Sequence, residues 1–321
     1  MKITKRTALI TFKLLVTGAS VYWLITLADF RLAWQSITAV PFLVVFLAID
    51  VMLVAFLAGS LRWWLLLRHT AGPVQYARVL PGYYLGVFFN NILPTTMGGD
   101  VVRTVHLSLR GINSKALIGS AVIDRFVGLY IILTLGFVNI SMSSEIVLER
   151  GDRLLLVGVG AMGAAGIWIF FNARFLDLIR HWANRYQYTR IRKFLLETVQ
   201  LCHSYKSARG TLLVAVALTI LLQSAVITSY YILGKAIGIT LSLFTYFGII
   251  PLVFLLGAVP ISLGGIGVRE GALVGLLVAI GVDIQPAIAL SLLYLFVLLA
   301  SSLPGSLVML FSRARKITRY E

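Results

Sequence analysis

Along most of this chain, polar residues do not alternate with apolar ones. They are swept to the ends of long oily runs. Apolar segments of spanning length fall at about 7–28, 42–60, 116–141, 153–172, 211–233 and 286–310. About 20 residues of helix cross a hydrocarbon core of ~30 Å, so each reads as a transmembrane helix. Two further apolar regions, 79–113 and 243–282, are broken near their middles by Pro and paired Gly. The pattern predicts an all-α polytopic membrane protein with about six full transmembrane helices and two re-entrant or broken helical hairpins. It forms one membrane domain over 1–321, with half-repeats at about 1–141 and 153–310.

Composition agrees. Of 321 residues, 59% are hydrophobic and 12% charged, against roughly 45–50% and 25% in soluble domains. The net charge of +16 would suggest nucleic acid in a soluble protein. In a membrane protein it reads instead as basic loops kept on the cytoplasmic side. With a cytoplasmic N-terminus and hairpins that return to their starting side, segments 1–6, 61–80, 100–115, 173–209 and 313–321 hold 21 of the 28 Lys and Arg. Both termini are therefore expected in the cytoplasm, in a cytoplasmic (inner) membrane. In this count Arg62 belongs to a cytoplasmic loop. The basic start "MKITKRTALITFKLLVTGAS" reads as an uncleaved first helix, with Lys13 snorkelling to the interface. Segment 173–209 is too polar to span. It reads either as amphipathic surface helices or as a solvated connector. Cys202, the single cysteine, carries no disulfide or metal spacing.

The two broken regions echo each other. Residues 94–103 read PTTMGGDVVR and residues 260–269 read PISLGGIGVR. Pro94, Gly98, Gly99 and Arg103 recur 166 positions later as Pro260, Gly264, Gly265 and Arg269. Two spans precede the first copy and five the second, so the copies enter from opposite faces. That arrangement is an inverted repeat, a frequent transporter architecture. The charge rule also allows both regions to be full spans.

The chemistry of the motif follows from its residue types. Proline ends a half-helix. Paired glycines permit unusual backbone and close approach. The next half-helix opens with unsatisfied N–H groups and a positive dipole end, which suit phosphate or carboxylate. Arg103 and Arg269 follow within one turn and suit bidentate phosphate contacts. Asp100 reads as a helix cap that would also oppose an anion. Glu270 is placed to pair with Arg269 or Arg103. Asn90 and Asn91 offer amide hydrogen bonds in the same region. Asp124 and Arg125 lie about 13 Å into their span, and Asp50 lies at a similar depth from the other side. Such charges either line one polar cavity with both motifs or lock helices together. Asp50, Asp124 and Glu270 are the candidates for ion or proton coupling. The four histidines lack metal-ligand spacing, and no P-loop or nucleophile elbow is present. No metal or cofactor is expected.

"FFNNILPTTMGGDVVRTVHLSLRG", "AVIDRFVGL" and "VPISLGGIGVREGALVGLL" resemble the lysylphosphatidylglycerol synthase transmembrane region, a flippase-like domain family. The resemblance covers nearly the whole chain. It places the family motifs on Asn90, Pro94, Gly98, Gly99, Asp100, Arg103, Asp124, Arg125, Gly264, Gly265, Gly267, Arg269 and Glu270. It implies a flippase for an anionic or aminoacylated phospholipid or a polyprenyl-phosphate-linked lipid. Only "SRARKITRYE" follows the last span, so lysyl transfer by this chain alone is not expected, and the chain reads as a transporter rather than an enzyme. The alternatives are an intramembrane lipid-phosphate enzyme and a membrane partner of a separate synthase or glycosyltransferase. The expected partners are membrane lipids and such an enzyme, not nucleic acid.

Overall fold

A computed structural model describes residues 30–93, 97–142, 208–258 and 267–317, with isolated positions such as Tyr205. These residues form nine helices. They are α1 (Phe30–Thr38), α2 (Phe42–Ala71), α3 (Tyr76–Ile92), α4 (Gly98–Ser108), α5 (Ser114–Met142), α6 (Arg209–Ile237), α7 (Leu243–Ala258), α8 (Val268–Ala279) and α9 (Ile284–Ile317). No strand occurs among the described residues.

Four helices are long and apolar enough to cross a membrane: Phe42–Ala71, Ser114–Ile140, Gly210–Ile237 and Ile284–Met309. They match four of the six expected spans. The other two, 7–28 and 153–172, lie outside the described residues, as does most of 173–209. Outward faces are oily: Phe42, Leu43, Phe46, Leu213, Phe296 and Leu303 are all exposed. Lipid is the solvent that tolerates this, and helices satisfy their own backbone in it.

The broken regions fold as two hairpins of shorter helices. At 1.5 Å per residue, α4 is about 16 Å long and α8 about 18 Å, too short to cross ~30 Å. Each hairpin is antiparallel. In the first, Gly86 faces Gly99 and Arg103 while Gly82 faces Leu107. In the second, Gly257 faces Arg269. Each short arm ends in the same turn. Gly111 (φ 86°) and Gly281 (φ 91°) adopt the left-handed conformation that glycine allows at no steric cost. The amides of Ile112 and Val282 then reach back to the Leu107 and Leu277 carbonyls, at 3.2 and 3.0 Å. Asn113 and Asp283 follow, and the long spans α5 and α9 begin.

Contacts between spans fix how the hairpins face. Helices α2 and α5 are antiparallel: Arg62 meets Asp124, Trp63 meets Ser120 and Thr70 meets Ala116. Helices α2 and α6 are also antiparallel: Ser229 meets Ala48 and Thr219 meets Arg62. The first hairpin leaves α2 at Ala71 and rejoins α5 at Ser114, so it opens at that end of the bundle. The second leaves α6 at Ile237 and rejoins α9 at Ile284. Gly234, Tyr246 and Leu290 meet there. Because α2 and α6 are antiparallel, this is the opposite end. The two hairpins are re-entrant and inverted with respect to each other. The core between them is large and aromatic, with Trp63, Tyr230, Tyr246, Met52 and Leu67 buried.

Candidate functional site

The first hairpin delivers α4 against α2 and α5 at a cluster of five charged side chains. Asp124 on α5 is its centre. Its Oδ1 accepts from Arg62 Nε at 2.6 Å, and its Oδ2 accepts from Arg103 Nη2 at 3.1 Å. The same Arg103 Nη2 lies 3.0 Å from Asp100 Oδ1, one turn earlier on α4. Asp100 Oδ2 accepts in turn from Arg125 Nε at 2.6 Å. Among the described residues, three guanidiniums meet two carboxylates here. Arg62, Arg103 and Asp124 are buried, whereas the Arg125 side chain is 43% exposed. The cluster therefore has a closed end at Arg62 and an open end at Arg125.

The surroundings hold it in shape. Arg62 Nη1 donates to Thr219 Oγ1 on α6 at 3.1 Å, and Gly128 leaves room for its guanidinium. Arg103 Cζ sits 4.1 Å from the centre of the Trp63 ring and 5.6 Å from that of Tyr83, a cation–π seat. Trp63 is held by its Nε1 donating to Ser120 Oγ at 3.2 Å. Arg103 Nε is buried with no hydrogen-bond partner among the described residues. Asp124 lies about 15 Å along α5 from Ser114, and Arg62 a similar distance from Ala71. The cluster is thus well inside the bundle.

The start of α4 is filled from within the chain. Gly98 and Gly99 are buried, and Asn90 Oδ1 accepts the Gly99 amide at 2.8 Å. The half-helix terminus expected to stand open to an anion therefore already has an uncharged acceptor on it. Asp100 makes no capping hydrogen bond among the described residues; it serves the arginines.

The second hairpin carries a smaller arrangement. Arg269 Nη2 and Nε lie 2.5 and 3.0 Å from Glu270 Oε1. Glu270 Oε2 accepts the Gly267 amide at 2.7 Å, so this half-helix terminus already holds a carboxylate. Glu270 pairs with Arg269 and not with Arg103. Arg269 Cζ lies 5.9 Å from the centre of the Tyr294 ring, which stacks on Tyr230 at 3.5 Å. Tyr294 Oη donates to Met52 Sδ at 3.9 Å. Met52 and Arg62 are ten positions apart on α2, about 15 Å. The two arginine groups therefore meet α2 at two levels.

Other expected residues fall elsewhere. Asp50 is exposed on α2, between exposed Phe46 and Val54, and pairs with no charge among the described residues. Pro94, Pro260, Gly264 and Gly265 lie outside the described residues, as does Lys13. Sequence reasoning missed Arg62. It stands in the apolar run LAGSLRWWLLL and was assigned to a loop because the spanning window ends at 60. Helix α2 in fact continues to Ala71. The signal was the unpaired need of Asp124 for a deep countercharge.

Comparison with curated proteins found no match. The model of the family described as the lysylphosphatidylglycerol synthase TM region matches residues 10–305. That span takes in both hairpins and both arginine groups, and this multi-pass membrane protein belongs to that family, with a lipid-related function.

Proposed function

We propose that the chain is a lipid transporter of the flippase type, moving lipids with an anionic, phosphate-bearing headgroup across the cytoplasmic membrane. One observation carries this reading. Two re-entrant hairpins open to opposite ends of the bundle, and each brings an arginine to its own depth, about 15 Å apart along α2. Alternating access needs a site reachable from each side in turn, and inverted repeats supply it. Arg103 and Arg125 form the station on one side and Arg269 the station on the other. The end at which the first hairpin opens carries Arg68, Arg78, Arg110 and Lys115, and is the cytoplasmic end by the charge rule. A separate synthase or glycosyltransferase would supply or consume the lipid.

The test is reconstitution into liposomes with labelled phosphatidylglycerol, with and without a proton gradient. Faster appearance of the label in the opposite leaflet, abolished by Arg103→Ala or Arg269→Ala, supports the reading. No acceleration under either condition overturns it. A new covalent lipid product would redirect it to an enzyme.

A further inference from the structure

We propose that Asp100 is a built-in competitor of the lipid phosphate for Arg125, and so sets how tightly the first hairpin holds an anion. The inference rests on the transporter reading. It starts from how charges are shared in the cluster. Asp100 has two cationic partners, Arg103 at 3.0 Å and Arg125 at 2.6 Å. If Arg125 turns outward to an anion, Asp100 keeps Arg103, and no buried carboxylate is stranded. The reverse does not hold at the closed end. Removing Arg62 from Asp124 would leave the buried carboxylate with Arg103 alone, which it already shares with Asp100. The exchangeable contact is therefore the pair at the exposed end.

Two further observations support exchange there. Among the described residues the cluster has one more cation than anions, so an added phosphate group moves that count toward balance. In addition, Arg103 Nε is a buried donor with no acceptor among the described residues, and a buried donor left unsatisfied is costly. An oxyanion arriving beside Arg125 gives this end of the network a further acceptor. The repeat sharpens the point. The second motif has Ile266 where the first has Asp100, and its internal carboxylate, Glu270, instead occupies the start of α8. Each station carries its own internal anion, but of the two only the first holds it on an exposed arginine, Arg125 at 43% against Arg269 at 16%.

An internal competitor lowers apparent affinity by the fraction of molecules in which it occupies the site. Exchanging its charge for a neutral amide converts a charge-assisted bond to an ordinary one, a difference worth about a fivefold change in affinity. The experiment titrates the purified full chain in nanodiscs of phosphatidylcholine with phosphatidylglycerol, and separately with inorganic phosphate. Wild type, Asp100→Asn, Arg125→Ala, Arg125→Lys and the Asp100→Asn/Arg125→Ala double variant are compared, each checked by thermal unfolding. Asp100→Ser replaces Asp100→Asn if the latter does not fold.

The expected result is that Asp100→Asn binds phosphatidylglycerol about fivefold more tightly. Arg125→Ala weakens binding, Arg125→Lys restores part of it, and the double variant behaves as Arg125→Ala. A purely structural role for Asp100 would move binding the other way. If inorganic phosphate binds with the same pattern, the competition stands and the ligand is phosphate itself. If Arg125→Ala weakens binding but Asp100→Asn does not tighten it, the competitor role is overturned while the transporter reading survives. If neither wild type nor Asp100→Asn binds either probe, both fall.

Discussion

Asn90, at the end of the long arm of the first hairpin, places its Oδ1 2.8 Å from the amide of Gly99, at the start of the short arm. One side chain thus closes a break in the helix at a depth where water is scarce. An N-terminal acceptor of this kind is worth about 1 kcal/mol. Asn90→Ala should lower unfolding stability in detergent by about that amount, and Asn90→Asp, which keeps an acceptor, should lower it less. Equal losses for the two would show that the bond contributes little.

Asp124 is the charge on which two buried arginines depend. Asp124→Asn and Arg62→Ala should each cost about 3–5 kcal/mol, because each leaves buried charge without its partner. The Arg62→Ala/Asp124→Asn double variant should cost less than the sum of its single variants. Chemical denaturation of the four proteins, arranged as a double-mutant cycle, measures the coupling. Additive losses would mean that the short N–O distance carries no net energy.

Glu270 and Asp50 are both acidic and both intramembrane by sequence, yet they differ in surroundings. Glu270 is buried against Arg269 and the Gly267 amide. Asp50 is exposed and pairs with no charge among the described residues. Glu270→Gln should destabilise by about 3 kcal/mol, whereas Asp50→Asn should stay within about 0.5 kcal/mol. Melting temperatures of the two variants in the same detergent make the comparison direct.

Gly99 has no room for a side chain. A Cβ there would lie 1.9 Å from the Gly86 carbonyl oxygen, a backbone atom that cannot turn aside. Gly99→Ala should separate α3 from α4 and cost more than 2 kcal/mol, roughly the upper range for overpacking. Gly210→Ala, where nothing lies within 4 Å, is the matched control and should be tolerated. Yields of folded protein on size exclusion distinguish them.

Four long spans were legible because bilayer thickness writes itself into the length of an apolar run. The hairpins were legible because Pro and paired Gly interrupt such runs twice, with an arginine at the same spacing. Which residues meet was less so. Arg62 hid inside the end of α2, since an apolar window registers average polarity and not the direction one guanidinium takes. Asp50 and Asp124 look alike by depth, and only the rotation of each helix about its axis separates lipid face from bundle interior. The starts of α4 and α8 were read as open because free amides are the rule at helix ends. The acceptors that fill them come from Asn90, nine residues away, and from Glu270, and only the fold brings Asn90 round.

Glycine 305 of α9 lies against the backbone of α3, so closely that a Cβ there would stand 2.2 Å from the Tyr84 carbonyl oxygen. Tyr83, next along, is lodged over Gly59 of α2. The long arm of the first hairpin is thereby riveted on two sides, while its short arm is tied to α5 through Asp100 and Arg103. The eleven residues of α4 are thus moored twice over, by backbone against the long arm at Gly86 and Gly99 and by charge against α5, so a loss at either mooring is felt at the other.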